Sequence, residues 1–255
     1  MIIRIADLPV EWQDKYSDYV KAFSTKTEKE PVISVRFESK LPECHGIQYS
    51  EKPAGRFLRL ENGEFAFANA DWSEVTSFFS VPNSIHALPL AAICSKFSYY
   101  GAFLMHASCV DIGGEGVIFT GCSGIGKTTQ AELWQKYLGA EIINGDKVFV
   151  RQIDGEFYGC GLPWKGSCEY CLNKKTKLRG IVVLRQAEEN RITRLDAAKA
   201  TELFVPHIFM PHWDEACLGN TFDTLEKFFE RVPVMLLECR PDEDAVKLTY
   251  NTLFK

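Results

Sequence analysis

Residues 116–129 read Gly-Val-Ile-Phe-Thr-Gly-Cys-Ser-Gly-Ile-Gly-Lys-Thr-Thr, and no other stretch limits the fold as tightly. A short apolar, β-branched run feeds a glycine-rich turn, which ends in Lys127-Thr128 and leads into a helical pattern. This is the G-x-x-x-x-G-K-[ST] spacing in its strand–loop–helix setting. Glycine lets the backbone curl until successive N–H groups point at one phosphate chain. Lys127 brings a compact positive charge, and the Thr128 hydroxyl is placed to ligate Mg²⁺. The helix that follows adds the positive end of its dipole. Gly121, Cys122, Ser123, Gly124, Ile125, Gly126, Lys127, Thr128 and Thr129 are therefore the expected phosphate cradle for a nucleoside triphosphate with Mg²⁺, whose base the loop does not fix.

The chain of 255 residues, 46% hydrophobic and 25% charged, has ordinary globular composition and room for a large core. A net charge of −5 argues against a nucleic-acid partner. Nine cysteines at irregular spacing show no disulfide framework, which fits a reducing cytoplasm. The N-terminal residues lack a basic segment followed by an apolar one, so no signal peptide is expected. The apolar stretch 87–110 is interrupted by Pro89, Lys96 and His106, and reads as a buried helix plus a strand rather than a membrane span.

The pattern divides near Pro82-Asn83-Ser84. Residues 1–82 read as a small β-rich module, with a short helix over 12–23, a strand over 32–37 and a hairpin around Glu61-Asn62-Gly63. Residues 83–255 read as a nucleotide-binding, kinase-like domain. A helix over 85–100 precedes paired strands at 102–112 and 116–120, joined by Gly113-Gly114. The helix after the loop buries Ala131, Trp134 and Leu138 and ends at Gly139. Strands follow at 141–144, 148–151, 177–185 and 233–238, with a hairpin turn at Asp154-Gly155. Helices begin at Asp196, at Asn220 (Phe222, Leu225 and Phe229 inward) and at Pro241. Hairpins mixed with strand–helix units predict an α/β fold with a mixed sheet.

Phosphoryl transfer also needs a carboxylate near the metal and the attacking oxygen. Asp146 ends the first strand after the loop's helix, where strand termini meet phosphates. His106, fifteen residues before Gly121, starts a strand beside the loop strand and can orient a transferring group. The expected catalytic set is Asp146, Lys127 and His106, with Thr128 and Asp146 on the metal.

The block from His106 through Val110-Asp111-Ile112, Gly116-Val117, Thr120-Gly121 and Ser123-Gly124-Ile125-Gly126-Lys127 resembles the HPr kinase/phosphorylase family at ungapped spacing. The superfamily includes ATP-dependent phosphoenolpyruvate carboxykinases, whose loop is similar to residues 123–129. The likeness spans roughly residues 100–185. It implies an HPr-kinase-type core, ATP and Mg²⁺, acids for metal binding and proton transfer, and a symmetric homo-oligomer. The family's aspartate pair is here Gly145-Asp146, so one acid is left for both tasks. The segment Gly159-Cys-Gly-Leu-Pro163-Trp164-Lys-Gly-Ser167 looks like small HPr-kinase-like proteins of peptide-modification systems, including peptide serine kinases.

Residues 161–177 are irregular through Gly161, Pro163 and Gly166 and basic through Lys165, Lys174, Lys175 and Lys177. Such a loop either closes over nucleotide or grips an acidic substrate, or is a plain solvated loop. Cys168 and Cys171 form a lone pair, short of the four ligands zinc needs, and His207 and His212 lack ligand spacing. Two functions follow. One is a kinase that phosphorylates a hydroxyl, most readily serine in a peptide, protein or free form, away from nucleic acid and membrane. The other is a nucleotide-binding accessory protein with reduced catalysis.

Overall fold

The computed structural model describes residues 1–13, 18–38, 55–61, 63–78, 87–164 and 169–255, and their strands form two mixed sheets. The first sheet holds β1 (Ile2–Ile5), β2 (Leu8–Gln13), β3 (Ile33–Glu38), β4 (Arg56–Arg59), β5 (Phe65–Ala68) and β6 (Glu74–Phe78), in the order β1-β2-β3-β6-β5-β4. The second holds β7 (Ala102–Ile112), β8 (Glu115–Thr120), β9 (Glu141–Asn144), β10 (Lys147–Ile153), β11 (Glu156–Cys160), β12 (Lys175–Gln186), β13 (Arg191–Arg194), β14 (Ile208–Phe209) and β15 (Val234–Cys239). Its main path runs β11-β10-β7-β8-β12-β15-β13, and β9 and β14 also pair with β7. β12 lies parallel to β8 and β15, while the remaining pairings of this sheet are antiparallel.

Five helices complete the described residues: α1 (Ala87–Ser98), α2 (Lys127–Leu138), α3 (Ala197–Phe204), α4 (Glu215–Arg231) and α5 (Glu243–Phe254). Strand alternation sends side chains to both faces of the second sheet. Val117 and Phe119 of β8 and Val182 and Leu184 of β12 pack with Trp134 of α2 and Val246 of α5. Ile118, Ile181 and Val183 point the other way, toward Phe204 of α3 and Phe228 of α4. Ala102 and Leu104 of β7 join a further cluster with α1 and the first sheet, including Trp12, Trp72 and Phe97. The first sheet is thus packed against the second through α1 rather than standing apart.

Several elements differ from their sequence pattern. Trp12 belongs to β2, where Leu8, Val10 and Trp12 are all buried, and the helical part of 12–23 is a 3₁₀ turn over Asp18–Phe23. α4 starts at Glu215, five residues before Asn220, because the Asp214 carboxylate caps it by accepting from Cys217 N. Its buried face is Cys217, Thr221, Thr224, Leu225 and Phe228 at helical spacing, which leaves Phe222 52% exposed. Pro241 lies one residue before Asp242, the N-cap of α5. Leu138 is only half-buried, while Ala131 and Trp134 are fully buried. The boundary at 82–84 falls outside the described residues.

Asp214 ties the two halves together. Beyond capping α4, it accepts from the Trp72 indole at 3.1 Å and pairs with Arg56 at 2.9 Å. Asp214→Ala removes a cap and strands a buried indole N–H, and is expected to cost about 2–4 kcal/mol in urea denaturation. Asp214→Asn keeps the cap and is expected to lose less than half of that.

Candidate functional site

The site forms at the middle of β7, where both of its edges lose their partners. On one edge β8 stops at Thr120, opposite Ala107, and β14 begins at Ile208, opposite Met105. On the other edge β9 stops at Asn144, opposite Cys109, and β10 begins at Lys147, opposite His106. His106 stands at the break. Leu104 to one side of it belongs to the α1 cluster, and Val110 to the other belongs to the α2–α5 cluster. Its face of the sheet is therefore open between two apolar blocks.

The break on the first edge is filled by the glycine loop, 121–126. Gly124 and Gly126 take φ values of 76° and 108°, a region costly for any residue with a Cβ. The loop runs straight into α2, whose N-cap is Gly126 with no side-chain cap, so the first N–H groups of the helix are left for another acceptor. Lys127, 7% exposed, folds back and donates its ammonium to the Gly121 and Cys122 carbonyls, each at 3.1 Å. Ser108 Oγ on β7 anchors the helix start by donating to the Lys127 carbonyl at 2.8 Å.

The break on the second edge is filled by Gly145-Asp146. Asn144, fully buried, holds this turn: its Oδ1 accepts from the backbone N–H groups of Asp146 and Lys147 at 2.9 and 3.0 Å. Its Nδ2 donates to the carbonyls of Leu162 and Trp164 at 3.1 and 3.4 Å. The Asp146 carbonyl accepts from Ala107 N at 3.0 Å, which keeps the turn against β7. Asp146 Oδ1 lies 3.3 Å from His106 Nδ1, and Asp146 Oδ2 accepts from the Lys147 ammonium. Thr128 Oγ1 donates to the Gly145 carbonyl at 3.1 Å and so joins the two breaks.

His106, Ser123, Gly124, Gly126, Lys127, Thr128, Thr129, Gly145 and Asp146 surround one cavity of about 320 Å³. Gly121, Cys122 and Ile125 are not part of this lining: Gly121 is buried, Cys122 is exposed, and Ile125 faces a second cavity, of about 380 Å³, between the loop and the ends of β12 and β15. Burial, with the charges of Lys127 and Lys147 adding to it and Asp146 opposing, holds His106 below the ordinary histidine value of 6.5. Burial likewise lowers Lys127 from 10.5. Thr128 and Asp146 offer two oxygen donors, the number Mg²⁺ takes from protein when phosphates and water complete its shell. Among the described residues no cluster of three or more His, Cys, Asp or Glu could hold a metal.

Two participants carry no sequence signal of their own. Lys147 becomes Asp146's ion-pair partner only because β10 starts there. His207 precedes β14, and its register places it next to His106, whose charge and that of Lys127, after burial, lower its pKa. His212 lies elsewhere, against Met210 and Trp213. The basic residues of 161–177 are held by the fold: Lys174 pairs with Asp111 and Glu141, Lys175 with Asp7 and Lys177 with Glu156. Lys165, Gly166 and Cys168 lie outside the described residues, and Cys171 donates to the Leu162 carbonyl at 3.2 Å.

No family model and no curated protein matches the chain. Among solved structures it is similar to the Hpr(Ser) kinase/phosphatase from Coxiella burnetii, at 13% identity and a TM-score of 0.35, over 58% of this chain and 91% of that one. That is a distant likeness in shape and carries no functional argument. No helix among the described residues is long and apolar enough to cross a membrane.

Asn144→Leu fills the same space with no polar atoms and leaves two buried N–H groups and two carbonyls without partners. It is expected to cost about 3 kcal/mol by urea denaturation. The histidines set a pH dependence. Both bind protons less readily folded than unfolded, so their contribution is complete above the unfolded value of 6.5 and is lost as pH falls through the lower folded values. Melting temperature is expected to drop on acidification below about pH 6.5, with a flatter profile in a His106→Gln/His207→Gln variant.

Proposed function

We propose that the chain is an ATP- and Mg²⁺-dependent phosphotransferase acting on a hydroxyl, with serine in a peptide, protein or free form as acceptor. One observation carries this reading: Lys127 and Thr128 from the start of α2 and Asp146 from the turn between β9 and β10 open onto a single cavity beside the bare N-terminus of α2.

The uncapped N–H groups and the helix dipole suit a polyphosphate. The 380 Å³ cavity continuing past Gly124 toward Arg185, Gln186 and Arg240 suits the nucleoside. Lys127 lies over the loop carbonyls and is released to the β- and γ-phosphates when they arrive, which relieves the burial that lowers its pKa. Thr128 and Asp146 would hold Mg²⁺, which would supply neutralisation of phosphate charge. The acceptor oxygen attacks the γ-phosphorus, its bond to the β–γ bridging oxygen breaks, and ADP departs. Asp146 takes the hydroxyl proton. Lys147 and His106 fix the Asp146 carboxylate from two sides and keep it aimed.

The same ion pair favours a second reading. With glycine at 145 and its carboxylate already held by Lys147, Asp146 in this reading serves binding alone in a nucleotide-dependent accessory protein. Transfer of label from [γ-³²P]ATP to serine-containing acceptors separates the two. Lys127→Ala is expected to weaken ATP binding at least tenfold. Asp146→Asn is expected to keep ATP binding and lower transfer by about 10²- to 10⁴-fold. Full transfer by Asp146→Asn would remove Asp146 from the chemistry, and tight Mg²⁺-dependent binding with no label on any acceptor would favour the accessory protein.

A further inference from the structure

A further cavity among the described residues lies apart from those lined by the glycine loop. It measures about 570 Å³ and lies between α1, β14 and the segment after β11, over the α1 side of β7. Leu90 and Ala91 of α1, Trp164, Phe209 and Trp213 form its walls, with Lys147 at the edge facing Asp146. Such a volume is that of a small-ligand pocket, and its lining is correspondingly apolar. Phe209 and Trp213 are 40% and 39% exposed, an unusual share for large apolar side chains.

Its position relative to the phosphate cavity is informative. The two meet at consecutive residues, since Asp146 lines one and Lys147 the other. The 380 Å³ cavity extends from the loop in another direction, past Gly124 and Gly126. A nucleotide laid along the loop leaves the Asp146 end of the phosphate cavity for the acceptor, and the apolar cavity opens there. Lys147 is the only charged residue among the described lining, and its ammonium is already engaged by Asp146. Among the described lining residues an acidic acceptor group would find no unpaired cation, and it would lose its water.

We infer that the cavity between α1 and Trp164 takes an uncharged apolar group carried by the phosphate acceptor, aromatic or branched aliphatic, next to the hydroxyl that faces Asp146. This rests on the phosphotransferase reading and narrows its substrate to serine flanked by apolar side chains. The segment 161–177, basic in composition, then contributes Pro163 and Trp164 to an apolar wall rather than lysines to an acidic ligand. Asn144 links both functions, because the Asn144 amide that holds the Asp146 turn also holds the Leu162 and Trp164 carbonyls.

The test uses capped peptides: Ac-Gly-Ser-Phe-Leu-NH₂ and Ac-Leu-Phe-Ser-Gly-NH₂ against the same frames with Gly-Gly or Glu-Glu in place of the apolar pair. Binding is measured by calorimetry without nucleotide, and transfer with [γ-³²P]ATP. At least one apolar peptide is expected to bind roughly tenfold or more tighter than its glycine and glutamate counterparts. Ala91→Phe, which fills the cavity from a half-buried helix position, is expected to abolish that preference while ATP affinity stays unchanged. Phe209→Ala, at the exposed rim, is expected to weaken it. Equal binding of all peptides, preference for glutamate, or an unaltered preference in Ala91→Phe would overturn the inference. Because the binding arm needs no ATP, a preserved ranking without transfer to any peptide would instead overturn the phosphotransferase reading, and transfer without ranking would overturn only the apolar acceptor.

Discussion

A strand inside a sheet must satisfy its backbone on both edges, and β7 does so with four partners instead of two. β8 and β14 share one edge, and β9 and β10 share the other, with both changes of partner at His106. A change of partner is a place where the chain must leave the sheet, and it leaves here as the glycine loop and as Gly145-Asp146. Two irregular segments are thus placed face to face across one residue by the hydrogen-bonding demands of a single strand. Everything that touches the phosphate cavity comes from these segments or from the residues that border them.

Irregular backbone in a buried position requires its own partners, and Asn144 supplies them. An amide offers two donors and an accepting oxygen, and each is used on backbone groups that the sheet no longer pairs. The arrangement on the loop side is different. There the α2 N-terminus remains uncapped and Lys127 turns inward onto carbonyls. One break is closed by a permanent side chain, and the other is held by a charge that a bound anion would displace. The rigid side carries the acid, and the adaptable side faces the phosphates in the proposed function.

The glycine loop, the helix after it and the strands on either side were legible because their information is local: spacing, periodicity and turn residues. Asp146 and His106 were legible as neighbours of that motif, although nothing in the sequence shows that they meet at 3.3 Å. What was not legible depends on register. β14 is two residues long and has no periodicity, yet it sets His207 beside His106. Lys147 reads as an ordinary surface lysine until its pairing with His106 puts it on the site's face. The sequence pattern places Trp12 at the start of a helix, whereas in the sheet it follows Leu8 and Val10 as an alternate buried residue of β2. The basic residues of 161–177 could be read either way from the sequence, because the carboxylates that hold Lys174, Lys175 and Lys177, on Asp111, Asp7 and Glu156, are brought to them only by the fold.

The charge of the site runs against that of the chain. Around Asp146 stand Lys127, Lys147 and His106, so two ammonium groups and a neutral imidazole surround one carboxylate in a protein of net charge −5. Burial depresses Lys127 and His106 together, which means the fold pays in desolvation to keep positive charge there. A structural role for Lys127 would be met as well by an uncharged donor at the loop carbonyls. A buried cation held by neutral carbonyls is stabilised only in part, and an anion of several charges completes it. Asp146 cannot be that anion, because its second oxygen is already taken by Lys147. On the proposed function that anion is the polyphosphate beside α2, and the uncharged part of the acceptor lies on the far side of the Asp146–Lys147 pair, where the described lining holds no second cation.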